Sequence, residues 1–364
     1  MKYVKSILIL LALTITSCQQ KTRMIDYSDK VTYLTEDNIP PIQNLEFEKI
    51  ELPEDECMFS LFYVYDDTFL VILPLKPDSV CMSVMNINNK NILGRYLQRG
   101  NGPEEFVAAQ VKMQQNRLNV FDPSKKTLAF YNLDSIIQKG QSYKVPITHL
   151  TSNFHSLDVL SDTTFVFCNF WYMDDCGVDA NENVQELLIV EKNKDFNYEP
   201  PEECVVVGNI NYEYIAVNRN KDRVFLAYEY KPQFSVLNTN FDTIKIIAGP
   251  KPWNGRTYIK DDDLGLIPES YSYYAFQMLS TDNYIFACMM NLVDVPKKDI
   301  REEQKKNHPE IFQFDWDGNL IARYKKENGN KVSGIAGYSE STNTLYINSR
   351  DEDGEPSLYK AKIK

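Results

Sequence analysis

Histidine is almost missing from this 364-residue chain: there are 3, His149, His155 and His308, and none has HExxH spacing. A metalloenzyme or a histidine-based hydrolase would need ligands or a general base that the sequence barely supplies. No Gly-x-Ser-x-Gly elbow is present. The 7 cysteines include no Cys-x-x-Cys pair, so a zinc ribbon or dithiol redox centre has no motif to rest on. Glycine is modest at 14 and low-complexity tracts are absent, so disorder is expected only toward the ends. Basic residues are outnumbered, giving a formal charge of −12. That field repels phosphate backbones and argues against nucleic acid as a partner. Long helical periodicity is scarce. The best candidate, KKDIREEQKKN at 297–307, has Ile300 as its only apolar residue.

The first residues are MKYVKSILILLALTITSC. Lys2 and Lys5 give a basic start, and Ile7 to Ile15 is an apolar run too short to span a bilayer. Small residues then lead into Cys18. This resembles the lipobox of bacterial lipoproteins, whose cysteine is lipidated and becomes the first mature residue. The resemblance implies a signal peptide over 1–17 and lipidation at Cys18. Residues 18–44 are mostly polar, close on Pro40-Pro41, and read as a tether with a coil reach of about 30 Å. Cys81, Cys168, Cys204 and Cys288 lie in apolar strand-like runs, where cysteine behaves as a small buried hydrophobe. Cys168 with Cys176 is the pair close enough in sequence to test for a disulfide.

Tyrosine (23) and phenylalanine (19) are abundant, which favours strands. Beyond residue 45, strand–turn–strand units recur, as in RLNVFDPSKKTLAFYNLD and EIFQFDWDGNLIARYKK. Five complete four-strand units can be laid out, with first strands starting near Phe59, Gln110, His155, Glu213 and Tyr273. A sixth, near Gly334, has room for only three strands. Spacings of roughly 40–60 residues fit propeller blades carrying insertions. LEFEKIEL, at 45–52, alternates as a strand and precedes the first unit with nothing to pair to. As the outer strand of the last unit it would close a ring and remove an exposed edge. The expected fold is therefore all-β: a six-bladed β-propeller over 45–364, its last blade closed by an N-terminal strand.

GRYLQRGNGPEEF, at 94–106, carries a Gly-x-Gly-Pro-x-Glu-Phe core. With this motif, the lipobox and a domain of six-blade size, the chain resembles the TolB-like six-bladed propeller lipoproteins of Bacteroidetes. The resemblance implies a fold and an address more than an activity. It implies an outer-membrane lipoprotein. CQQKTR lacks the acids of surface-export signals, which favours the periplasmic side over the cell surface. The glycines invite a phosphate-loop reading. Pro103 has no N–H, however, Glu104 and Glu105 repel phosphate, and no Gly-Lys-Ser/Thr follows. The stretch reads instead as a blade-linking turn, with Phe106 returning the chain to an apolar site. The alternative is that Arg99 and Glu104 or Glu105 face the central cavity and touch ligand.

Four long connections, 94–106, 171–186, 249–271 and 291–310, fall in the two classes that open on one face of a propeller. The rim they build carries Trp171, Tyr172, Trp253, Arg256, Tyr258, Tyr271 and His308. Flat aromatics with polar neighbours suit sugar rings or peptide segments. The competing role is packing of the insertions against the blades. Asp174, Asp175 and Asp179 are hard oxygen donors of the kind calcium takes, and no other cofactor is expected. The expected function is a non-catalytic binding or scaffold propeller, monomeric and tethered to the membrane only by its lipid. It would engage a glycan, peptide or protein partner on the insertion-bearing face. The alternative is a carbohydrate-active hydrolase or lyase using acids on that face.

Overall fold

The alternating runs become strands, and the turn signals between them become hairpins. The computed structural model describes residues 29–53, 60–74, 80–103, 105–107, 109–114, 116–122, 124–125, 127–139, 148–149, 154–159, 165–169, 185–186, 213–228, 233–240, 242–249, 258–261, 265–268, 270–296, 299, 309–327, 332–350 and 355–363. Three short strands come first: β1 (Val31–Tyr33), β2 (Ile42–Leu45) and β3 (Glu48–Ile50). Blade 1 is β4 (Ser60–Tyr65), β5 (Phe69–Pro74), β6 (Val80–Asn86) and β7 (Ile92–Gln98). Blade 2 is β8 (Gln110–Gln114), β9 (Arg117–Asp122), β10 (Thr127–Asn132), helix α1 (Leu133–Lys139) and β11 (Thr148–His149). Blade 3 contributes β12 (Phe154–Val159), β13 (Phe165–Asn169) and β14 (Gln185–Glu186). Blade 4 is β15 (Glu213–Val217), β16 (Val224–Tyr228), β17 (Gln233–Leu237) and β18 (Thr243–Ala248). A hairpin of β19 (Tyr258–Asp261) and β20 (Gly265–Pro268) follows. Blade 5 is β21 (Ser270–Ser280), β22 (Tyr284–Pro296), β23 (Glu310–Asp315) and β24 (Leu320–Lys326). Blade 6 is β25 (Val332–Ser339), β26 (Thr344–Arg350) and β27 (Pro356–Lys362).

The fold is an all-β propeller. Five blades form sheets of four or five strands, and the described part of blade 3 forms a sheet of three. Each blade starts within three residues of the position read from the sequence. First strands of neighbouring blades touch one another, β12 with β15, β15 with β21, β21 with β25 and β25 with β4, so they line the axis. The missing fourth strand of blade 6 is β3. It runs antiparallel to β27, with Ile50 opposite Leu358, Lys49 opposite Tyr359 and Glu48 opposite Lys360. We call the face carrying the first-to-second and third-to-fourth strand turns the lower face. The blade-to-blade connections open on the upper face.

The tether is shorter than its composition predicts. β1 adds to the outer edge of blade 4, parallel to β18, with Val31 opposite Ile246. β2 adds to blade 5 in the same way, parallel to β24, with Ile42 opposite Arg323. Between them Asn38 closes a turn: its Oδ1 accepts from Thr35 N at 2.7 Å, and its Nδ2 donates to the Tyr33 carbonyl at 2.7 Å. That turn presents Leu34 and Ile39 to the apolar core between blades 4 and 5, where Phe225, Phe234, Phe312 and Phe314 stack. Arg323, paired with Glu310 at 2.5 Å, also donates to the Pro40 carbonyl at 3.3 Å. Segment 31–50 is thus a belt across blades 4, 5 and 6. Leu34→Ala is expected to lower stability by about 2–4 kcal/mol, measurable by urea unfolding, because it opens a cavity against that aromatic stack.

α1 is the one α-helix among the described residues, and at seven residues it is too short to show a period. Asn132 Oδ1 caps it from Ser135 N at 2.9 Å, and Leu133 and Ile136 are buried. The predicted helix over 297–307 lies almost wholly outside the described residues.

RGNGPEEF is the blade-linking turn that its composition predicts. The Phe106 N–H donates to the Gln98 carbonyl at 2.9 Å, and Phe106 is fully buried. Glu105 folds back over the loop, its carboxylate accepting from Gly102 N at 2.7 Å. A Cβ on Gly100 would lie 2.0 Å from that carboxylate, so the glycine makes room for the glutamate. Lys125 donates to the Gly102 and Glu105 carbonyls at 2.7 Å each. Gly94 plays the same part for Tyr96, whose hydroxyl would sit 2.3 Å from an added Cβ. The motif is consumed by its own packing.

Candidate functional site

The expected rim is mostly untested by the structure. Trp171, Tyr172, Trp253, Arg256 and His308 lie outside the described residues, as do Cys18, Glu104, Asp174, Asp175 and Asp179. Tyr258 lies on β19 and Tyr271 on β21, both on the upper side. There β22 runs beyond its last pairing with β23, Met289 opposite Glu310, and pairs with β21 as far as Pro296 opposite Ser270. Arg99 is exposed and forms a bridge with Phe106. Glu105 is held by its own loop, its carboxylate accepting from Gly102 N.

A recess formed by described residues opens on the other face. Its volume is about 580 Å³, and it sits where the lower ends of the first strands converge. Hairpin turns supply it: Tyr65 and Asp66 from blade 1, Arg219 from blade 4, Asp282 from blade 5, and Tyr338 and Glu340 from blade 6. Blade 2 adds Asn116 and Asp134, the latter from the first turn of α1.

Side-chain bonds tie these turns to one another around the mouth. Tyr65 Oη donates to Asp134 Oδ1 at 2.5 Å, and Asn116 Nδ2 donates to Asp134 Oδ2 at 2.8 Å, joining blades 1 and 2. Arg219 pairs with Asp282 across blades 4 and 5. Glu340 joins blades 5 and 6: it accepts from Thr281 Oγ1 at 2.9 Å and Asn283 N at 3.1 Å, and from Asn283 Nδ2. Asp67 joins blades 6 and 1, accepting from Ser339 at 2.5 Å, Thr342 at 2.9 Å and Tyr346 at 2.8 Å. Deeper in the ring, Lys112 of blade 2 lies 3.7 Å from Asp158 of blade 3 and donates to the Ile215 carbonyl of blade 4. Burial pushes that ammonium down and Asp158 opposes the shift.

Asp66 and Asp67 form the turn between β4 and β5 with φ of 49° and 52°. Both central residues have positive φ, as in a type I′ turn, and aspartate tolerates this better than most non-glycine residues. The three hydroxyls on Asp67 hold the turn in place. Asp66 is exposed, lines the recess, and has no hydrogen-bond or ion-pair partner among the described residues.

The phenols carry a pH signature. Burial pushes Tyr63 and Tyr324 up from 10.0 to about 12. Tyr65 and Tyr346 go higher, first by burial and then by their bonds to Asp134 and Asp67. A phenol whose folded pKa exceeds its unfolded value contributes stability that is complete below the unfolded value and lost as pH rises through the folded one. Thermal stability is therefore expected to hold to about pH 10 and to fall between about pH 10 and 12, with phenolate absorbance rising over the same window. Tyr65→Phe should flatten that fall. A melting temperature unchanged between pH 10 and 12 would contradict the assignment.

No group of three or more His, Cys, Asp or Glu side chains among the described residues is arranged to hold a metal. The calcium expectation at Asp174, Asp175 and Asp179 falls outside them. Cys81 and Cys288 are buried and free, as their strand settings predict, and burial pushes both thiols up. Among the described residues, no helix is long and apolar enough to cross a membrane.

The family model for TolB-like 6-blade propeller-like proteins matches residues 61–336. The chain belongs to that family. This TolB-like propeller resembles, at 13% identity, a crystal structure from Bacteroides fragilis NCTC 9343 named as an exported protein; the TM-score is 0.53, over 92% of this chain and 99% of the other. A DUF4221 family member from Bacteroides vulgatus matches at 10% identity and TM-score 0.51, over 89% and 98%. At these identities the likeness shows the fold alone. No curated protein matches the chain.

The mouth of this TolB-like propeller is not flagged by any local motif. Its residues are turn formers spread from Tyr65 to Glu340, and each one alone reads as a hairpin residue.

Proposed function

We propose that this chain is an exported propeller, lipid-anchored at Cys18 in the outer membrane with its domain on the periplasmic side, that binds a ligand without transforming it. The lipobox supports the anchor, and the exported neighbour supports the address. The binding site is the lower mouth, and its ligand is a basic segment of a peptide or partner protein. One observation carries this reading: Asp66, held at positive φ, is exposed and without a hydrogen-bond or ion-pair partner among the described residues, in a recess whose described lining also holds Asp134, Asp282 and Glu340 against one cation, Arg219. Strain kept at a binding surface is a common device. Asp134 and Glu340 have both carboxylate oxygens engaged by donors, which suits a rigid acidic wall better than an acid–base pair.

The test uses the chain from residue 19 onward. A fluorescent tetralysine peptide should bind, and salt should weaken it because exposed charge pairs are screened. Asp66→Asn should weaken binding by roughly tenfold, as expected for losing one charge-assisted hydrogen bond. Its melting temperature should stay within about 2 °C, since Asn also tolerates positive φ. Equal affinity of the variant, or binding of neutral oligosaccharides in place of the peptide, would defeat the proposal.

A further inference from the structure

We propose that the outer rim of blades 4 and 5 lies against the phospholipid surface to which the chain is anchored. This rests on the lipid-anchor reading above. Six large apolar side chains are exposed among the described residues: Tyr33 (53%), Ile42 (38%), Leu61 (39%), Leu93 (38%), Ile244 (40%) and Ile321 (47%). Isolated exposed apolar residues are ordinary, so their grouping is what matters. Tyr33 and Ile42 lie on the added strands β1 and β2, and Ile244 and Ile321 on the strands β18 and β24 that those pair with.

The four lie on the outer strands of blades 4 and 5, which meet at one seam. Lys245 of β18 donates to Asn319, beside β24, at 2.8 Å, and the Leu34–Ile39 turn fills the wedge between the two blades. On β24 the exposed Ile321 and half-buried Arg323 and Lys325 alternate with buried Ala322, Tyr324 and Lys326. Ile42 is opposite Arg323 in register. Leu61 and Leu93 belong to blade 1, across the ring.

The anchor's reach selects the occupant. Lys30 is fastened to blade 4: its Nζ donates to the Thr243 carbonyl at 2.5 Å, and its own carbonyl accepts from Ile246 N at 3.0 Å. The twelve residues from Cys18 to Asp29 span at most about 40 Å, whatever their conformation. The point where the chain is fastened to blade 4 is therefore held within about 40 Å of the anchored cysteine, and the exposed apolar side chains flank that point. A tyrosine at such a boundary can place its ring among acyl chains and its hydroxyl among headgroups. Docked by its rim, the propeller would lie edge-on, with both axial mouths open to solution.

The lipidated full-length protein, reconstituted into phosphatidylethanolamine–phosphatidylglycerol vesicles with brominated acyl chains, tests this. Tryptophan is introduced singly as Tyr33→Trp, Ile321→Trp or Leu93→Trp, and each spectrum is compared with the parent. Quenching at positions 33 and 321 should exceed that at 93 by about threefold or more, as expected for side chains at a membrane interface. Equal quenching at all three positions, or none, overturns the rim assignment. Flotation of Cys18→Ala is read separately. If that variant floats with the vesicles as the parent does, the lipid anchor is wrong, whatever the quenching shows.

Discussion

A chain beginning at residue 54 should melt more than about 10 °C below the full-length protein, whereas one beginning at residue 29 should melt within about 2 °C of it. The first cut removes β3, the partner of β27 and the strand that closes blade 6. It also removes Leu45 and Phe47 from the largest apolar cluster, and Ile50 and Leu52 from the cluster between blades 6 and 1. Leu45 is buried and the other three partly so; a fully buried side chain of this size is worth roughly 1.5–3 kcal/mol, and the edge of β27 would be left open. A chain beginning at residue 47 separates the two contributions, since it loses β1 and β2 but keeps β3. Circular-dichroism melts would rank the three. Equal melting temperatures for the chains starting at 29 and 54 would show that the ring does not depend on its closing strand.

The second large effect is expected at Asn348→Ala. This amide is buried in β26 and spans the seam between the last and first blades. Its Oδ1 accepts from Phe62 N at 3.0 Å, and its Nδ2 donates to the Phe62 carbonyl at 3.0 Å. Truncation leaves a backbone donor and a backbone acceptor buried without these partners. Each such group costs about 1–3 kcal/mol, so a loss of roughly 2–5 kcal/mol in urea unfolding is expected. Asn348→Asp keeps the acceptor but sets a buried carboxylate against the Phe62 carbonyl, and should lose at least as much at neutral pH. Gly337→Ala attacks the same seam from the other side. An added Cβ would lie 2.8 Å from the Val64 carbonyl and 3.0 Å from Val64 Cβ, neither of which is the free end of a flexible side chain. If Asn348→Ala unfolds with the parent, the seam is held by packing alone.

The blades were legible because alternation over five or more residues, bounded by Asp-Gly, Asp-Pro and Asn-containing turns, survives in a single sequence. The closure was legible for the same reason: LEFEKIEL alternates, and no neighbour was available to pair with it. β1 and β2 were not legible. They are three and four residues long, too short to show a period, and the prolines at 40 and 41 read as linker. Their signal was weaker but present in Val31, Leu34, Ile39 and Ile42, the aliphatic residues of the mostly polar stretch 31–44. The mouth was opaque for a different reason. Asp66, Asp134, Asp282 and Glu340 look like ordinary turn chemistry, and only the ring brings them together. The aromatic rim proposed for the upper face rests on residues outside the described ones, apart from the strand positions of Tyr258 and Tyr271.

The pairing of residues 48–50 with 358–360 has a consequence for biosynthesis. The segment that completes the final sheet leaves the ribosome long before its partner. Until residues 358–360 have been made, blade 6 has no fourth strand and the circle has a gap. Contacts of such large sequence separation form late and slowly. A chain drawn through a narrow passage before residues 358–360 exist would thus still be open, where a ring already closed would jam.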